Sequence, residues 1–503
     1  MSSLRERAAG VICVGFDGQT LETELRAQLR KTPFAGIILF GRNVKNVEQT
    51  RALTDLLREC FDRTAPIIAI DQEGGRVARI REGVVTIPSM MTLAATGNPD
   101  LALQAGEQIA HDLRRAGVNL DFAPVCDLAT HGENIVIGAR AFSDDPQTVT
   151  VFARALAAGL ERGGIIPTFK HFPGHGSTAT DSHLALPRVE LDERALRTRD
   201  LIPFAALLPG ARAVMTAHIV MTAFDAENPA THARRILTDL LRGELGFSGV
   251  CFTDCMEMDA IAKSVGTAQG ALLALQAGAD CVLISHRLDL ALDAVERIVA
   301  AVEDGTLPRQ RLDEAFARVQ TLRAGLQSPV ALDDPAPHPH IGDEIATAAV
   351  TLVRGEVPLQ PARAVIISFE GVTTEGAQGT HAPARAASGP DSQVYALPLE
   401  PQPAEVDAVL EKIANQKNRT IVHARRAHVY ETQAAAIDKI LAAFPGALIV
   451  SMREPADIGR FASARNVLAV YGDEDPNVAA LHRATFERGP QPGTLPVRWR
   501  AAR

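Results

Sequence analysis

PIIAIDQEGGRV, residues 66–77, is a short apolar run that ends on an acid and passes into a glycine-rich turn. Ile67 to Ile70 offer no polar alternate, so the run reads as a strand covered on both faces, as in a parallel sheet. Pro66 and Gly74 mark its ends. The same design recurs at 11–16 (VICVGF), 36–40 (GIILF), 118–123 (VNLDFA), 165–169 (IIPTF), 213–217 (AVMTA), 249–253 (GVCFT) and 281–285 (CVLIS). Amphipathic segments such as 47–60, 101–115 and 148–162 lie between them and read as helices. Eight strands alternating with helices predict an α/β fold, a TIM-type (β/α)8 barrel, because eight is the number that closes the ring.

Beyond a helix at about 308–325, the stretch SPVALDDPAPHPH at 328–340 carries a linker composition. Strand-like runs follow at 363–369, 393–398, 419–424, 447–452 and 467–471, with helix-like segments at 405–415 and 432–444. The expected organisation is a barrel over 1–327, a proline-rich linker over 328–342 and a smaller α/β sandwich domain over 343–503. The Gly/Ala/Pro-rich stretch 371–392 reads as a mobile loop.

The chain has 503 residues, of which 46% are hydrophobic and 22% charged, the proportions of an ordinary globular protein. Its net charge of −9 gives no general attraction to nucleic acid or to an anionic membrane. Cysteines 13, 60, 126, 251, 255 and 281 sit mostly inside apolar runs and read as core residues in a reducing compartment. The first residues lack a cleavage-site pattern, and no uncharged apolar stretch is long enough to span a bilayer. The expected location is the cytoplasm, and the sequence leaves the oligomeric state open.

Barrel chemistry sits where the strands end. Asp71, Asp121, Lys170, His171, His218 and Asp254 all follow apolar runs, so together they point to a polar cavity. The densest cluster is KHFPGHGSTATDSH, residues 170–183. Pro173, Gly174 and Gly176 exclude a helix there, so His171 and His175 do not share a helical face as zinc-binding histidines would. The segment reads as a loop at a strand end. His175 fits either chemistry or a loop anchor. Asp181 and His183 are two apart, close enough for the carboxylate to fix one ring nitrogen and leave the other as a general acid/base. Asp254 could act as a nucleophile or stabilise a cation. Glu257 and Asp259 read as solvated acids at a helix start.

IDQEGGRVARI (70–80), NLDFAPVCDL (119–128), IGARAFSDDP (137–146), KHFPGHGSTATDSH (170–183) and FTDCMEMDAI (252–261) together resemble glycoside hydrolase family 3. The likeness is to its bacterial β-N-acetylglucosaminidase branch, which recycles peptidoglycan. SMREPADI (451–458), AVYGDEDP (469–476) and PGTLPV (492–497) resemble the C-terminal α/β domain of its two-domain members. The resemblance implies that Asp254 is the nucleophile of a retaining enzyme. It implies that His183, paired with Asp181, is the acid/base, and that Asp71, Arg79, Arg140, Lys170 and His171 hold the terminal sugar. It implies no metal and no cofactor. The chain departs from that branch at Ser177 and at Cys255-Met256, where relatives commonly carry Asp and Asp-Leu.

The one Trp and three Tyr all lie beyond residue 390, so the barrel has only Phe on which to stack a polysaccharide. Exo-action on small soluble N-acetylglucosamine-containing glycosides, such as muropeptide fragments, is therefore expected of a β-N-acetylhexosaminidase. Other readings compete, among them a non-enzymatic one in which the barrel is a sugar-binding module. A β-glucosidase or β-xylosidase could take its acid from Glu370 or Glu375, and an N-acetylglucosaminide phosphorylase would use the same scaffold. More remote is a metal-dependent hydrolase using His171, His175, Asp181 and His183.

Overall fold

The computed structural model describes residues 2–61, 64–178, 186–357, 364–370, 388–389, 392–415 and 420–498. Nine parallel strands form the first sheet: β1 (Ile12–Val14), β2 (Gly36–Leu39), β3 (Ile67–Ile70), β4 (Leu120–Asp121), β5 (Ile166–Pro167), β6 (Phe169–Phe172), β7 (Ala213–Thr216), β8 (Val250–Cys255) and β9 (Cys281–Ile284). Their spatial order is β5-β4-β3-β2-β1-β9-β8-β7-β6. The two edges, β5 and β6, are consecutive in the chain and separated only by Thr168. One run therefore pairs with β4 through its first half and β7 through its second, and the sheet curls into the expected barrel.

The burial pattern explains why these strands lack polar alternates. Ile37, Leu39, Ile68, Ile70, Val214 and Val282 pack outward against helices. Ile38, Ile67, Ala69, Met215, Phe252 and Leu283 fill the barrel interior. Both faces are dry, with a period of two. The helices begin where the sequence supplies caps: Asn46 and Asp145 accept hydrogen bonds from the amides of Gln49 and Thr148, and Pro99 and Pro146 occupy first-turn positions.

Two strand ends at the functional end of the barrel differ from expectation. The fifth run was expected to stop at 169 and hand Lys170 and His171 to a loop. Instead β6 continues through Phe172, so both side chains stand on a strand. The run breaks at Thr168 because Pro167 has no amide to donate. Thr168 N then donates to Ala123 O, and Lys170 N to Pro124 O. Likewise β8 extends to Cys255, so Asp254 lies within the strand and not beyond it.

Residues 325–340 carry turns but neither helix nor strand. The second sheet comprises β10 (Thr351–Arg354), β11 (Val365–Glu370), β12 (Gln393–Pro398), β13 (Thr420–Ala424), β14 (Leu448–Ser451) and β15 (Asn466–Ala469), in the order β10-β15-β14-β13-β11-β12. All neighbours are parallel except β10, an antiparallel edge strand that the sequence reading missed. One face packs on helices Pro403–Ile413 and Glu431–Ala443, and the other on Ile341–Ala349 and Asp475–Phe486. This is the expected smaller α/β sandwich. Most of the stretch expected to be mobile, 371–387 and 390–391, lies outside the described residues.

The two sheets share a buried polar seam. Ser89 Oγ donates to Tyr471 O, and Asn477 Nδ2 donates to Thr92 Oγ1. Glu454, from the loop after β14, accepts from Arg426 and lies 3.9 Å from Arg76 of the barrel. Arg76 Nη2 in turn donates to the carbonyls of Ile135 and Val136, immediately upstream of Arg140. The second sheet thus braces a barrel loop that reaches the cavity.

Candidate active site

A cavity of about 270 Å³ opens at the carboxyl ends of the barrel strands. Asp71, Arg79, Arg140, Lys170, His171 and Asp254 all line it, so six expected residues from four separate stretches converge. Asp121 and His218 do not line it. Asp181 and His183 lie outside the described residues, as does Glu375; Glu370 ends β11 in the second sheet.

Lys170 is the centre of the charged wall. Its Nζ lies 2.8 Å from Asp71 Oδ1 and 2.6 Å from Glu73 Oε1, and the side chain is buried. Arg79 donates to Asp71 Oδ2 at 3.2 Å. Arg140 grips both oxygens of Glu73, at 2.7 and 2.9 Å, in the two-pronged geometry that a lysine cannot make. Burial by itself would raise the carboxyls. Lys170 and Arg79 outweigh it at Asp71 and hold that group well below the carboxylate range; Arg140 and Lys170 bring Glu73 to about 2. Burial opposes charge on Lys170 too, but Asp71 and Glu73 raise its pKa. Asp71, Glu73 and Lys170 are therefore charged at neutral pH, as is Arg140, whose pKa the Glu73 carboxylate raises against the effect of burial.

The local chain makes this possible. Asp71 leaves β3 and Glu73 sits in the short ribbon Gln72–Gly74, two residues on and within reach of the same lysine. Gly74 holds φ +94, and a Cβ there would meet Pro88 O at 2.8 Å. Asp121, at the end of β4, accepts from Gln72 N at 2.9 Å and so fixes the start of that ribbon. Burial pushes Asp121 up to about 8, which leaves it largely a neutral acid beneath the site.

A second cluster sits around Asp127. Its carboxylate accepts from His171 Nδ1 at 2.6 Å and from the His175 amide at 2.6 Å. Burial opposes ionisation of Asp127, but the two histidines hold it below its ordinary value. His171 is thereby fixed in tautomer and orientation. His175 Nδ1 lies 3.0 Å from Thr178 Oγ1, and burial lowers the imidazole to about 4, so it stays neutral. His175 both anchors the loop and lines the cavity. Gly176 passes so close to Leu128 that a Cβ would meet its carbonyl oxygen at 1.9 Å.

Asp254 presents its carboxylate from β8, with Oδ1 accepting from Cys255 N at 2.7 Å. His218 does not line the cavity but steadies this strand end: its Nε2 lies 3.0 Å from Cys255 O and its Nδ1 2.8 Å from Thr231 Oγ1. Glu257, expected to be a solvated acid, instead lines the cavity and accepts from the amides of His286 and Arg287. Cys255 also lines the cavity, unlike the other five cysteines, which are core residues as expected. Phe40 and His286 complete the rim with their rings 5.4 Å apart. Glu73, Asp127, Phe40 and His286 were not singled out in the sequence. Glu73 and Asp127 were legible as acids inside the motifs IDQEGGRVARI and NLDFAPVCDL, whereas Phe40 and His286 carry no local signal.

A (β/α)8 barrel with a charged cup at the carboxyl ends of its strands has the form of an enzyme active site for a polar substrate. The family comparison makes the class specific. Residues 3–322 match the Glycosyl hydrolase family 3 N terminal domain, and the chain belongs to that family of glycoside hydrolases. It is 42% identical over 287 residues to a beta-hexosaminidase of Alkalilimnicola ehrlichii, covering 55% of this chain and 81% of that protein. A solved family 3 beta-N-acetylglucosaminidase from Paenibacillus sp. superposes with a TM-score of 0.91 at 31% identity, over 99% of each chain. NagZ from Neisseria gonorrhoeae, solved with N-trifluoroacetyl-D-glucosamine, matches 68% of this chain and 98% of its own with a TM-score of 0.58 and 32% identity. No helix among the described residues is long and apolar enough to cross a membrane.

Proposed function

We propose that this chain is a retaining exo-β-N-acetylglucosaminidase that removes a terminal N-acetylglucosamine from small soluble glycosides. The observation that carries the proposal is the single cup, in which the carboxylate of Asp254 shares one cavity with the Asp71, Arg79, Arg140, Lys170 and His171 wall. Its volume lies below the usual range for drug-sized ligands, which favours one sugar ring over an extended chain. Among the described residues, Phe40 and Phe122 are the only Phe, Tyr or Trp side chains lining it, so capture rests on hydrogen bonds more than on stacking.

In this reading Asp254 attacks the anomeric carbon and displaces the aglycone, forming a glycosyl ester. His183, oriented by Asp181, gives its proton to the departing oxygen and then takes one from the water that cleaves the ester. Lys170 and His171 donate to sugar oxygens, and the remaining lone pairs of Asp71 accept from sugar hydroxyls. Glu73 and Asp127 act through these residues: each orients donors that face the sugar. The comparisons support the choice of sugar, since one relative is a beta-hexosaminidase and a solved neighbour is a beta-N-acetylglucosaminidase. Muropeptide fragments are the proposed natural substrates and the cytoplasm the proposed compartment, in keeping with cysteines placed in apolar runs.

Hydrolysis of a panel of 4-nitrophenyl β-glycosides tests the proposal. The N-acetylglucosaminide should be cleaved at least tenfold faster, by kcat/KM, than the glucoside or xyloside, with the free sugar as product in phosphate buffer. A faster glucoside or xyloside would overturn the assignment, and N-acetylglucosamine 1-phosphate as the main product would make the enzyme a phosphorylase.

A further inference from the structure

Cys255 departs from the residues expected beside the nucleophile, and its thiol neither sits in the core nor has a part in the chemistry above. The Cys255 sulfur, a carboxylate oxygen of Glu257 and an imidazole nitrogen of His286 all lie within 4.8 Å of one another. Sγ of Cys255 is 3.9 Å from Glu257 Oε2. Tetrahedral zinc, with bonds of about 2.0–2.3 Å, places such donors roughly 3.3–3.6 Å apart, so a small side-chain rotation brings the three into ligand geometry. All three line the same cavity as Asp254.

We propose that Cys255, Glu257 and His286 form an inhibitory site for a thiophilic divalent cation, Zn2+ foremost, at the rim of the substrate cavity. The donor set of one sulfur, one nitrogen and one oxygen suits zinc over magnesium or calcium. Three protein ligands leave a fourth position for water on the cavity side. As the Zn–S bond forms, the thiol proton leaves to solvent.

The surroundings tolerate the charge. Asp254 and Asp259 line the same cavity. Two cations lie nearby: Arg42 is paired with Asp17 at 2.8 Å and stacked over Phe40, and Arg287 is paired with Asp289 at 2.5 Å. The carboxylate of Glu257 receives two backbone amides, which orient it while leaving further lone pairs for a metal. A dication here would oppose the reaction in two ways. It would draw the negative charge of Asp254 away from the anomeric carbon, and it would repel the positive charge that develops on the sugar.

The binding claim stands apart from the glycosidase reading, whereas inhibition as its consequence rests on that reading. The test therefore uses two readouts on the full-length, chelator-stripped protein. Co2+ titration should produce a sulfur-to-cobalt charge-transfer absorption that Zn2+ displaces and that Cys255→Ala lacks. Zn2+ should inhibit hydrolysis reversibly, with EDTA restoring it. The half-inhibiting concentration should rise about tenfold or more in Cys255→Ala and, independently, in His286→Ala, where the exposed ring can be removed with little risk to folding. Each ratio is read against that variant's own metal-free rate. Absence of the absorption in wild-type protein would overturn the site. So would a half-inhibiting concentration unchanged in both variants, which would put the metal on other groups. If no glycoside is turned over but the absorption appears, the metal site stands and the glycosidase reading falls.

Discussion

Asp254→Asn is expected to lower kcat on an aryl N-acetyl-β-glucosaminide by on the order of 10⁴-fold, about 5.5 kcal/mol of transition-state stabilisation. The amide has the shape of the carboxylate and can still accept from Cys255 N, the contact that fixes Asp254 Oδ1 at the end of β8. What it lacks is the charge and the nucleophilic oxygen. The sugar-holding wall is built from other strands and stays intact, so KM should move by only a few fold. Steady-state kinetics with wild-type enzyme run in parallel check both numbers. A variant with near-normal kcat would remove Asp254 from the chemistry.

His183→Ala has a different signature because a general acid matters only where the leaving group needs a proton. On substrates with a sugar or alkyl aglycone the loss should be about 10²–10⁴-fold. On a dinitrophenyl glycoside, whose leaving oxygen departs unprotonated, the first step should be nearly unimpaired. A plot of log kcat/KM against leaving-group pKa should therefore be steeper for the variant than for wild-type enzyme. Parallel plots would exclude His183 as the acid. The residues flanking the segment that carries it are well anchored: Asn134 donates to the carbonyls of His175 and Gly176 on one side, and Val220 N donates to Pro187 O on the other.

The barrel was legible because eight runs apolar on both faces alternate with amphipathic segments, the pattern of helix-covered parallel strands. The fifth strand was harder to bound. Lys170 and His171 look like loop residues until Asp71, Glu73 and Asp127, contributed by other strand ends, are seen to neutralise or bond them. The same long-range pairing hid Glu73 and Asp127 as site residues, since an acid that orients a cation resembles any acid in a turn. Strand β10 was missed for a related reason: four residues between a helix and a glycine turn form a strand only because β15 is there to pair with them. Cys255 looked like its five counterparts, most of which lie in apolar runs, and differs because β8 ends at the cavity mouth.

Proton NMR of the sugar in the first minutes of hydrolysis tests most directly whether Asp254 and His183 work as a double-displacement pair. Two inversions at the anomeric carbon predict β-N-acetylglucosamine as the first signal, with the α-anomer growing only as mutarotation proceeds. First appearance of the α-anomer would mean a single displacement by water and would contradict a glycosyl ester on Asp254.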